Sequence, residues 1–491
     1  MHSEARPLPG SLSRPAGGFT IDPPSCGCPD GCSPAGEVPA VKPPAARANT
    51  ALLTDKYELT MLQAALADGN ASRHCVFECF TRRLAPGRRY GVVAGTGRLL
   101  EALAHFKFNE SNLEYLGKND VFNAQTIDYL ANYRFTGDIW GYAEGEIYFP
   151  YSPILQVEGS FAEACILETL ILSVLNYDSA VASAASRMTA AAHGRPCIEM
   201  GSRRANEQAA VAAARAAVIA GFVGTSNLEA GKRYGLNTVG TAAHSFTLLH
   251  DNELSAFKSQ VAAFGPDTTL LVDTYDLQNG VENAVKAGGA ALAAVRIDSG
   301  DLGPEATETR NHLDQLGAKN TKITVTSDLN EYAITELAEY PIDTYGVGTS
   351  VVTGSGAVTC EMVYKLTART NSQGILEGVA KTSPSKGSQA GRKNAGRRLD
   401  GDHKAVEELV FQGDNDAVAH WRPGDSDVRP LLVPLVSSGA IDSRWIGAYG
   451  VHNAIERHAA SRAELPAEAL DVSPGEPIIP TTFVNLQARA S

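Results

Sequence analysis

The chain has 491 residues, of which 44% are hydrophobic and 20% are charged. That balance is typical of a globular protein with a large core and more than one structural unit. The net charge of -13 at pH 7 argues against a nucleic-acid partner, because an acidic surface repels phosphate backbones. No apolar run reaches the roughly 18 to 20 residues that span a bilayer, and residues 1–10 lack a signal-peptide core. We therefore expect a cytoplasmic protein with no membrane partner.

Two segments have biased compositions. Residues 1–48 are rich in Pro, Gly, Ser and Ala, which predicts a disordered tail. The tail contains Cys26, Cys28 and Cys32, but no nearby His or second cluster completes a tetrahedral metal site. Residues 381–398 are rich in Lys, Arg, Gly and Ser and predict a mobile basic loop.

Regular patterns begin at Leu52, and residues 162–188 predict a long, largely buried helix. From Pro196 onward, short apolar runs alternate with helical patterns. The predicted strands are 197–200, 268–273, 292–297, 322–326 and 343–347, with shorter apolar runs at 221–224 and 237–239. The predicted helices are 206–220, 228–234, 253–264, 277–287, 304–316 and 331–338. Strands without polar alternation, separated by helices, predict a parallel sheet buried on both faces, and their number favours a closed or nearly closed α/β barrel.

A polar segment follows each predicted strand. These segments are 201–204, 224–227, 240–245, 273–276, 296–301, 327–328 and 346–350. Any one of them is explained by a helix cap or a turn. Seven in succession, at the carboxyl ends of parallel strands, indicate a shared pocket in the place where α/β barrels have their active sites.

The residue types in these segments suggest a phosphorylated sugar as ligand. The glycines and hydroxyl residues of 346–356 let backbone N–H groups approach a phosphate. Arg203, Arg204 and Arg296 offer planar donors to carboxylates or phosphates, although ion pairing is their alternative role. His244 alone is explained as a structural histidine, but among these loops it is a candidate nucleophile or acid–base group. Three aspartates are candidates for Mg²⁺ or ribose hydroxyls and otherwise for capping; they are Asp273, Asp298 and Asp301.

The order and spacing of these segments, together with residues 54–61 (TDKYELTM), resemble the nicotinate phosphoribosyltransferases over most of residues 50–490. The resemblance implies the type II phosphoribosyltransferase fold, an α/β barrel with a second α/β domain built from both ends of the chain. The implied domains are 49–160, completed by 366–491, and the catalytic barrel 161–365. It also implies a homodimer with the active site at the subunit interface.

The resemblance implies roles for individual residues. Tyr57 of the partner subunit would stack on the pyridine ring, while Arg203, Ser226 and Arg296 would line the nicotinate and ribose phosphate positions. A neutral Ser226 suits nicotinate, whereas the nicotinamide enzymes have an aspartate there. The other implied substrate-binding residues are Asn227, Asp273, Ser327, Gly346, Gly348 and Thr349.

The same resemblance implies the reaction. ATP would phosphorylate His244, Asp298 and Asp301 would take part in catalysis, and pyrophosphate would leave C1 of phosphoribosyl pyrophosphate as the pyridine nitrogen attacks, in the salvage of NAD. Mg²⁺ would be held through the pyrophosphate. Four basic residues resemble the family's loop near ATP and pyrophosphate, with a solvated loop as the alternative; they are Lys381, Lys386, Arg392 and Lys393.

Two positions depart from the family pattern. Met200 stands where many relatives have an aromatic residue against the pyridine ring, and Asn206 stands where many have His. Four alternative functions stay open: a nicotinamide-specific transferase, a quinolinate phosphoribosyltransferase, a phosphate-binding isomerase or aldolase, and a non-catalytic barrel. Ser226 argues against the first, and no predicted strand ends in a Schiff-base lysine for an aldolase.

Overall fold

The computed structural model describes residues 49–118, 122–381, 387–424 and 427–487. The predicted tail 1–48, with its three cysteines, and Lys386 lie outside these residues. Arg47–Ser491 form one compact unit, so the domain boundaries at residues 160 and 365 stay predictions.

The described residues contain sixteen α-helices. They are α1 Lys56–Ala67, α2 Thr96–Ala104, α3 Glu110–Lys118, α4 Ala124–Asn132, α5 Phe161–Cys165, α6 Glu168–Ala191, α7 Glu207–Ile219, α8 Leu228–Tyr234, α9 His244–Leu249, α10 Glu253–Phe264, α11 Leu277–Gly288, α12 Leu302–Gln315, α13 Glu331–Leu337, α14 Thr349–Val352, α15 Asn415–Ala419 and α16 Gly447–Ala463. None of these helices is both long and apolar enough to cross a bilayer.

The described residues also contain nineteen strands. They are β1 His74–Phe80, β2 Gly91–Val92, β3 Asp138–Tyr142, β4 Ile147–Tyr148, β5 Leu155–Ser160, β6 Cys197–Glu199, β7 Gly224–Thr225, β8 Thr269–Leu271, β9 Ala294–Ile297, β10 Lys322–Ser327, β11 Thr344–Val347, β12 Val363–Thr370, β13 Leu376–Gly378, β14 Asn394–Leu399, β15 Ala405–Gly413, β16 Val428–Pro430, β17 Leu432–Ser437, β18 Ala440–Ile441 and β19 Thr481–Leu486.

Six parallel strands form the sheet that carries the predicted pocket, in the order β7-β6-β11-β10-β9-β8. Ile323, Thr324, Val325 and Thr326 of β10 are all buried, so both faces of this strand are covered although its residues alternate between apolar and polar. The segment 237–239, predicted as an apolar run, adds only a single bridge from Thr238 to Thr225. The predicted α/β barrel is therefore a curled, open parallel sheet: over the described part of the chain, β7 and β8 do not pair with each other.

Most predicted elements of this region match the structure. Predicted helices 228–234 and 253–264 agree with α8 and α10 at both ends. The predicted helix 162–188 is instead two helices, because α5 ends at Cys165 and α6 begins at Glu168. Helix α9 was not predicted, and His244 is its first residue rather than a loop residue.

The long helix α6 joins two hydrophobic cores. Its first half, with Leu170 and Val174, packs in a core with the seven-stranded sheet described next. Its second half, with Val181 and Met188, packs in a core with the parallel sheet. One rigid helix thereby connects the pocket-bearing sheet to the rest of the fold.

The second part of the fold contains strands from both ends of the chain, as the predicted second α/β domain requires. Its seven-stranded sheet has the order β13-β12-β1-β5-β3-β17-β18, and its four-stranded sheet has the order β16-β14-β15-β19. In the first sheet Val76 of β1 lies opposite Glu158 of β5 and Ala368 of β12.

The predicted basic loop 381–398 is wrong at its end, because residues 394–398 belong to β14. This strand pairs with both β15 and β16. Its Arg397 is fully buried and forms ion pairs with Glu146 and Glu408. Composition alone suggested solvated cations, whereas buried carboxylates from distant segments compensate this charge.

Candidate active site

A cavity of about 490 Å³ lies at the carboxyl ends of the parallel strands. It is lined by the loops that follow β6, β7, β9, β10 and β11, and by the segment before α9. The lining residues are Met200, Arg203, Arg204, Ser226, Val239, Gly240, Thr241, Ala242, Ala243, His244, Leu271, Arg296, Asp298, Thr326, Ser327, Asp328, Gly346, Gly348 and Thr349. Five strand-end segments that lie far apart in the sequence meet here, as the polar pattern predicted.

The structure brings together most of the predicted site residues. The predicted residues that line the cavity are Arg203, Ser226, His244, Arg296, Asp298, Ser327, Gly346, Gly348 and Thr349. Asp273 lies directly beside His244. The remaining predicted residues that the structure describes do not line this cavity; they are Tyr57, Asn227, Asp301, Lys381, Arg392 and Lys393.

The imidazole of His244 faces two carboxylates. Its Nε2 lies 3.7 Å from Oδ2 of Asp298 and 3.9 Å from Oδ1 of Asp273. Its Nδ1 lies 3.1 Å from the hydroxyl oxygen of Thr274. With a proton on Nδ1 donated to Thr274, the ring presents the Nε2 lone pair toward the carboxylates and the cavity.

The two carboxylates differ in their hydrogen bonds. Oδ2 of Asp273 accepts from the backbone N–H of Asp298 at 2.9 Å and from the hydroxyl of Ser299 at 2.7 Å. Oδ1 of Asp273 is buried and has no hydrogen-bond partner among the described residues. Burial alone would raise the pKa of Asp298, but hydrogen bonds from Thr326 and Arg296, with the charge of Arg296, lower it overall. Asp298 therefore stays ionised beside His244.

Arg296 holds several parts of the site together through its guanidinium. Its Nε donates to the hydroxyl of Thr326 at 2.9 Å, and Nη1 donates to the hydroxyl of Thr241 at 2.9 Å. Its Nη2 donates to Oδ1 of Asp298 at 2.7 Å. Since Thr241 lies in the segment that leads into α9, Arg296 links β9 to the loop that presents His244.

Glu199 supports the site from beneath, although it lies outside the polar segments that pointed to the cavity. It ends β6, is fully buried, and its carboxylate accepts hydrogen bonds from the hydroxyl of Thr225 and the backbone N–H of Gly201. Its carbonyl oxygen accepts the N–H of Ser226 at 2.8 Å. Burial raises the pKa of Glu199, and the bonds from Thr225 and Gly201 oppose that rise. An acidic residue inside an otherwise apolar strand was the available signal.

Glu199 thereby fixes the two loops that carry Arg203 and Ser226. Next to them, the side chain of Met200 occupies the space over Gly346, where a Cβ would come within 2.9 Å of its sulfur. Only glycine fits at residue 346, because the same Cβ would also lie 2.5 Å from Thr326. Met200 thus forms part of the cavity wall at the position predicted to contact the pyridine ring.

Three predicted polar residues do not line the cavity, and two of them have local structural roles. Asn206 caps α7 by accepting the N–H of Gln208. Asn227 caps α8 and also donates from Nδ2 to the hydroxyl of Ser202 at 3.0 Å, so it braces the cavity wall from outside. Asp301 precedes α12, is exposed, and makes no side-chain capping bond.

Only the first part of the predicted phosphate loop lines the cavity. Gly346, Gly348 and Thr349 do so, but Gly354 packs near Ala180 and Ser355 bonds to Glu331. At the neighbouring strand end, Ser327 has a φ of 143°, a left-handed backbone conformation that costs about 1–3 kcal/mol in a residue other than glycine. Strain of this kind at a cavity wall is typical of functional sites.

Four other predicted residues lie elsewhere on the chain. Tyr57 is on α1 with 46% of its surface exposed, and Lys381 is exposed. Arg392 donates to Glu158, with 2.7 Å from Nε to the carboxylate. Lys393 is buried and pairs with Glu78 at 2.7 Å. In the described parts of the chain, no set of three or more His, Cys, Asp and Glu side chains is arranged to hold a metal ion.

Comparisons with known proteins agree with this geometry. Residues 52–176 match the family described as the nicotinate phosphoribosyltransferase (NAPRTase) N-terminal domain, and residues 196–418 match the nicotinate phosphoribosyltransferase (NAPRTase) family. The chain is 53% identical to the nicotinate phosphoribosyltransferase pncB1 of Mycobacterium tuberculosis, over 88% of this chain and 95% of that protein. It is 36% identical to the nicotinate phosphoribosyltransferase of Bacillus subtilis, over 70% of this chain and 72% of that protein.

Solved structures share the fold. The crystal structure of human nicotinic acid phosphoribosyltransferase aligns with a TM-score of 0.73 at 23% identity, over 88% of this chain and 97% of that one. The nicotinate-nucleotide pyrophosphorylase of Pyrococcus furiosus aligns with a TM-score of 0.68 at 24% identity, over 85% of this chain and 96% of that one. On the sequence matches, the chain belongs to the nicotinate phosphoribosyltransferase family.

Proposed function

We propose that this chain joins nicotinate to phosphoribosyl pyrophosphate, forming nicotinate mononucleotide and pyrophosphate, with ATP hydrolysis coupled through a phosphohistidine at His244. The observation that carries the proposal is the position of His244, whose Nε2 faces Asp298 and Asp273 at the mouth of the cavity. The family membership and the order of the cavity loops support the substrates.

The cavity suits a carboxylate at its pyridine end. Arg203 and Arg296 line it as permanent cations, and Ser226 is neutral. The buried carboxylate of Glu199 accepts hydrogen bonds from Thr225 and Gly201. It therefore does not present a negative charge to a ligand in the cavity. An acid is therefore favoured over an amide, which supports nicotinate rather than nicotinamide as substrate.

The geometry supports phosphoryl transfer to the imidazole. With Nδ1–H donated to Thr274, Nε2 attacks the terminal phosphorus of ATP; an N–P bond forms, and the bond to the bridging oxygen breaks to release ADP. Hydrolysis of the phosphohistidine later returns His244 and releases phosphate. Asp298, held ionised by Arg296 and Thr326, stabilises positive charge on the ring during the attack.

Mg²⁺ fits this site as a shared ion rather than one caged by protein. Mg²⁺ commonly uses one or two carboxylates together with substrate phosphates. Oδ1 of Asp273 and Oδ2 of Asp298 have no hydrogen-bond partner among the described residues and would hold it. When bound, the ion would neutralise negative charge on the pyrophosphate oxygens.

In the glycosyl step, the bond between C1 of the ribose and the pyrophosphate oxygen breaks as the pyridine nitrogen attacks C1. Arg203 and Arg296 orient the nicotinate, and the glycine-lined wall at residues 346 and 348 admits the ribose phosphate close to the backbone. Asp298 and Asp273 stabilise the positive charge that develops on the ribose ring.

The remaining parts of the proposal concern assembly and setting. We propose that a second copy of the chain supplies Tyr57 to the pyridine ring, since Tyr57 is half exposed and does not line the cavity of its own chain. Lys381 is exposed and would reach ATP or pyrophosphate. The reaction would serve NAD salvage in the cytoplasm.

A product assay tests the proposal. Wild type and His244→Ala are incubated with nicotinate or nicotinamide, phosphoribosyl pyrophosphate and Mg²⁺, with and without ATP. We expect wild type to form a mononucleotide from nicotinate but not from nicotinamide. We also expect ATP to stimulate this reaction in wild type but not in His244→Ala. Turnover of nicotinamide would refute the argument from Ser226. ATP stimulation that survives in His244→Ala would refute the phosphohistidine.

A further inference from the structure

A second cavity of about 480 Å³ lies between the seven-stranded sheet and strands β14 and β16 of the four-stranded sheet. Its volume falls within the range of small-molecule sites. We call it the intersheet cleft and define it by Asp138, Trp140, Glu158, Arg392, Trp421 and Arg422. It shares no lining residue with the candidate active site.

Two indole rings come to the intersheet cleft from different elements. Trp140 lies on β3 with 40% of its surface exposed, while its neighbours Ile139 and Gly141 face the core. Trp421 follows α15 and stacks on Phe411, with 4.1 Å between the ring centroids. Within the described residues, neither indole N–H donates a hydrogen bond. A cavity lined by two indoles, one of them 40% exposed, is suited to a ligand with a flat ring.

Charged groups at the edge of the cleft have unused hydrogen-bonding capacity. Nη1 of Arg422 donates to the carbonyl oxygen of Trp421 at 2.7 Å, and among the described residues its Nε and Nη2 have no partner. Oδ1 of Asp138 accepts the N–H of Ser438 at 2.7 Å, and its Oδ2 has no partner in the described parts of the chain. By contrast, Arg392 and Glu158 satisfy each other, so they form a neutral wall.

We propose that the intersheet cleft binds a purine nucleotide, with the base against Trp140 and Trp421, the ribose hydroxyls at Asp138 and the phosphate at Arg422. Indoles stack on heteroaromatic rings, a carboxylate accepts from hydroxyl groups, and a guanidinium binds phosphate through paired donors. The ligand is either a free mononucleotide or the adenylate half of a dinucleotide, since both present the same groups. The cleft shares no lining residue with the catalytic cavity of the same chain, although Arg392 and Lys393, which resemble the family's ATP and pyrophosphate loop, lie in its wall.

Isothermal titration calorimetry with AMP tests the proposal. We expect saturable binding to wild type, at least tenfold weaker binding of adenosine and of ribose 5-phosphate, and at least tenfold weaker AMP binding in Trp140→Ala and in Arg422→Gln. Both side chains are exposed, so these variants retain the fold, and thermal melting verifies this. Trp445→Phe is the matched control, because Trp445 lies outside the cleft.

A second variant separates the two cavities. Arg203→Ala changes the candidate active site, and we expect it to leave AMP binding intact. Comparable affinity for NAD would identify the adenylate half of a dinucleotide as the ligand, and binding of AMP alone would identify a free mononucleotide. The proposal is overturned if AMP does not bind saturably, or if its binding is lost in Arg203→Ala but retained in Arg422→Gln.

Discussion

Oδ1 of Asp298 accepts a hydrogen bond of 2.7 Å from Nη2 of Arg296, so one of the three arginines that line the candidate active site is paired with a carboxylate of the same cavity. The other carboxylate oxygen of Asp298 faces His244. Asp298 therefore partly neutralises the arginine that faces an anionic substrate, and it also places a negative charge beside the imidazole of His244. This pairing distinguishes Asp298 from Asp301, although the sequence presented the two as equivalent candidates.

Asp298→Asn is expected to lower kcat by about 100-fold, because the charge that stabilises the imidazolium and orients Arg296 is lost. The phosphohistidine, measured by transfer of label from the terminal phosphate of ATP, is expected to decrease in parallel. Asp301→Asn is the control. Asp301 is exposed and outside the cavity, so its substitution is expected to change kcat less than threefold. Equal losses in the two variants would contradict this assignment.

Glu199→Gln is expected to raise the KM for nicotinate about tenfold with a smaller change in kcat. The neutral amide cannot accept from both Thr225 and Gly201 as a carboxylate does, so the loops of Arg203 and Ser226 loosen. Steady-state kinetics with Glu199→Gln, Thr225→Val and the double variant measure this. We expect the double variant to resemble Glu199→Gln, since both changes remove the same bond. If the effects of the two single substitutions on KM add up in the double variant, Glu199 acts through a contact other than Thr225.

Ser226→Asp is expected to raise the KM for nicotinate by about 100-fold, because an added carboxylate in the cavity wall repels that of the substrate. The matched control is Ser226→Ala, which keeps the position neutral and is expected to change KM less than fivefold. The measurement compares initial rates over a range of nicotinate concentrations. A similar effect of both substitutions would show that the hydroxyl, rather than the absence of charge, matters.

His458 gives the fold a pH dependence that is unrelated to the active site. It lies on α16, and burial, with the charge of Arg462, lowers its pKa to about 3. The unfolded chain takes up this proton below about pH 6.5 and the folded chain only below about 3, so stability falls as pH decreases through that window. At pH 5 the free energy of unfolding is lower than at neutral pH by about 2 kcal/mol for this reason. Melting temperatures of His458→Leu are expected to fall less between pH 7.5 and 5 than those of wild type.

The control for this prediction is His452→Gln, on the same helix but exposed. Its melting temperature is expected to follow that of wild type over the same pH range. If the melting temperature of His458→Leu falls more than that of wild type between pH 7.5 and 5, other groups dominate the pH dependence of stability.

The sequence predicted the pocket because each strand end adds a polar segment to one edge of a parallel sheet. In the structure Ser226, His244 and Arg296 line one cavity, as that rule predicts. It did not reveal Glu199, whose partners are backbone groups and a threonine that only the register of β6 and β7 brings near. It also did not show that Asp298 and Asp301 differ, because both lie in the turn between β9 and α12 and the sequence does not indicate which side chain lines the cavity.

Amino-acid composition predicted the environment of single charged residues poorly, as Lys393 shows. A lysine in a stretch rich in Gly, Ser and Arg predicts a solvated cation. The structure instead buries it against Glu78, a residue 315 positions earlier in the chain. Compensation of a charge by a distant carboxylate has no local pattern in the sequence, so no composition-based argument identifies it.

Lys393→Met is therefore expected to destabilise the fold by about 3–5 kcal/mol, since it leaves the carboxylate of Glu78 buried without its partner. Thermal melting measures the loss, and combining it with Glu78→Leu is expected to recover most of it, because an apolar pair replaces the ion pair. Lys381→Met is the matched comparison: Lys381 is exposed, so we expect unchanged stability and a raised KM for ATP or phosphoribosyl pyrophosphate. If Lys393→Met has the melting temperature of wild type and instead raises the KM for ATP or phosphoribosyl pyrophosphate, then Lys393 binds these ligands. The ion pair with Glu78 would then contribute little to stability.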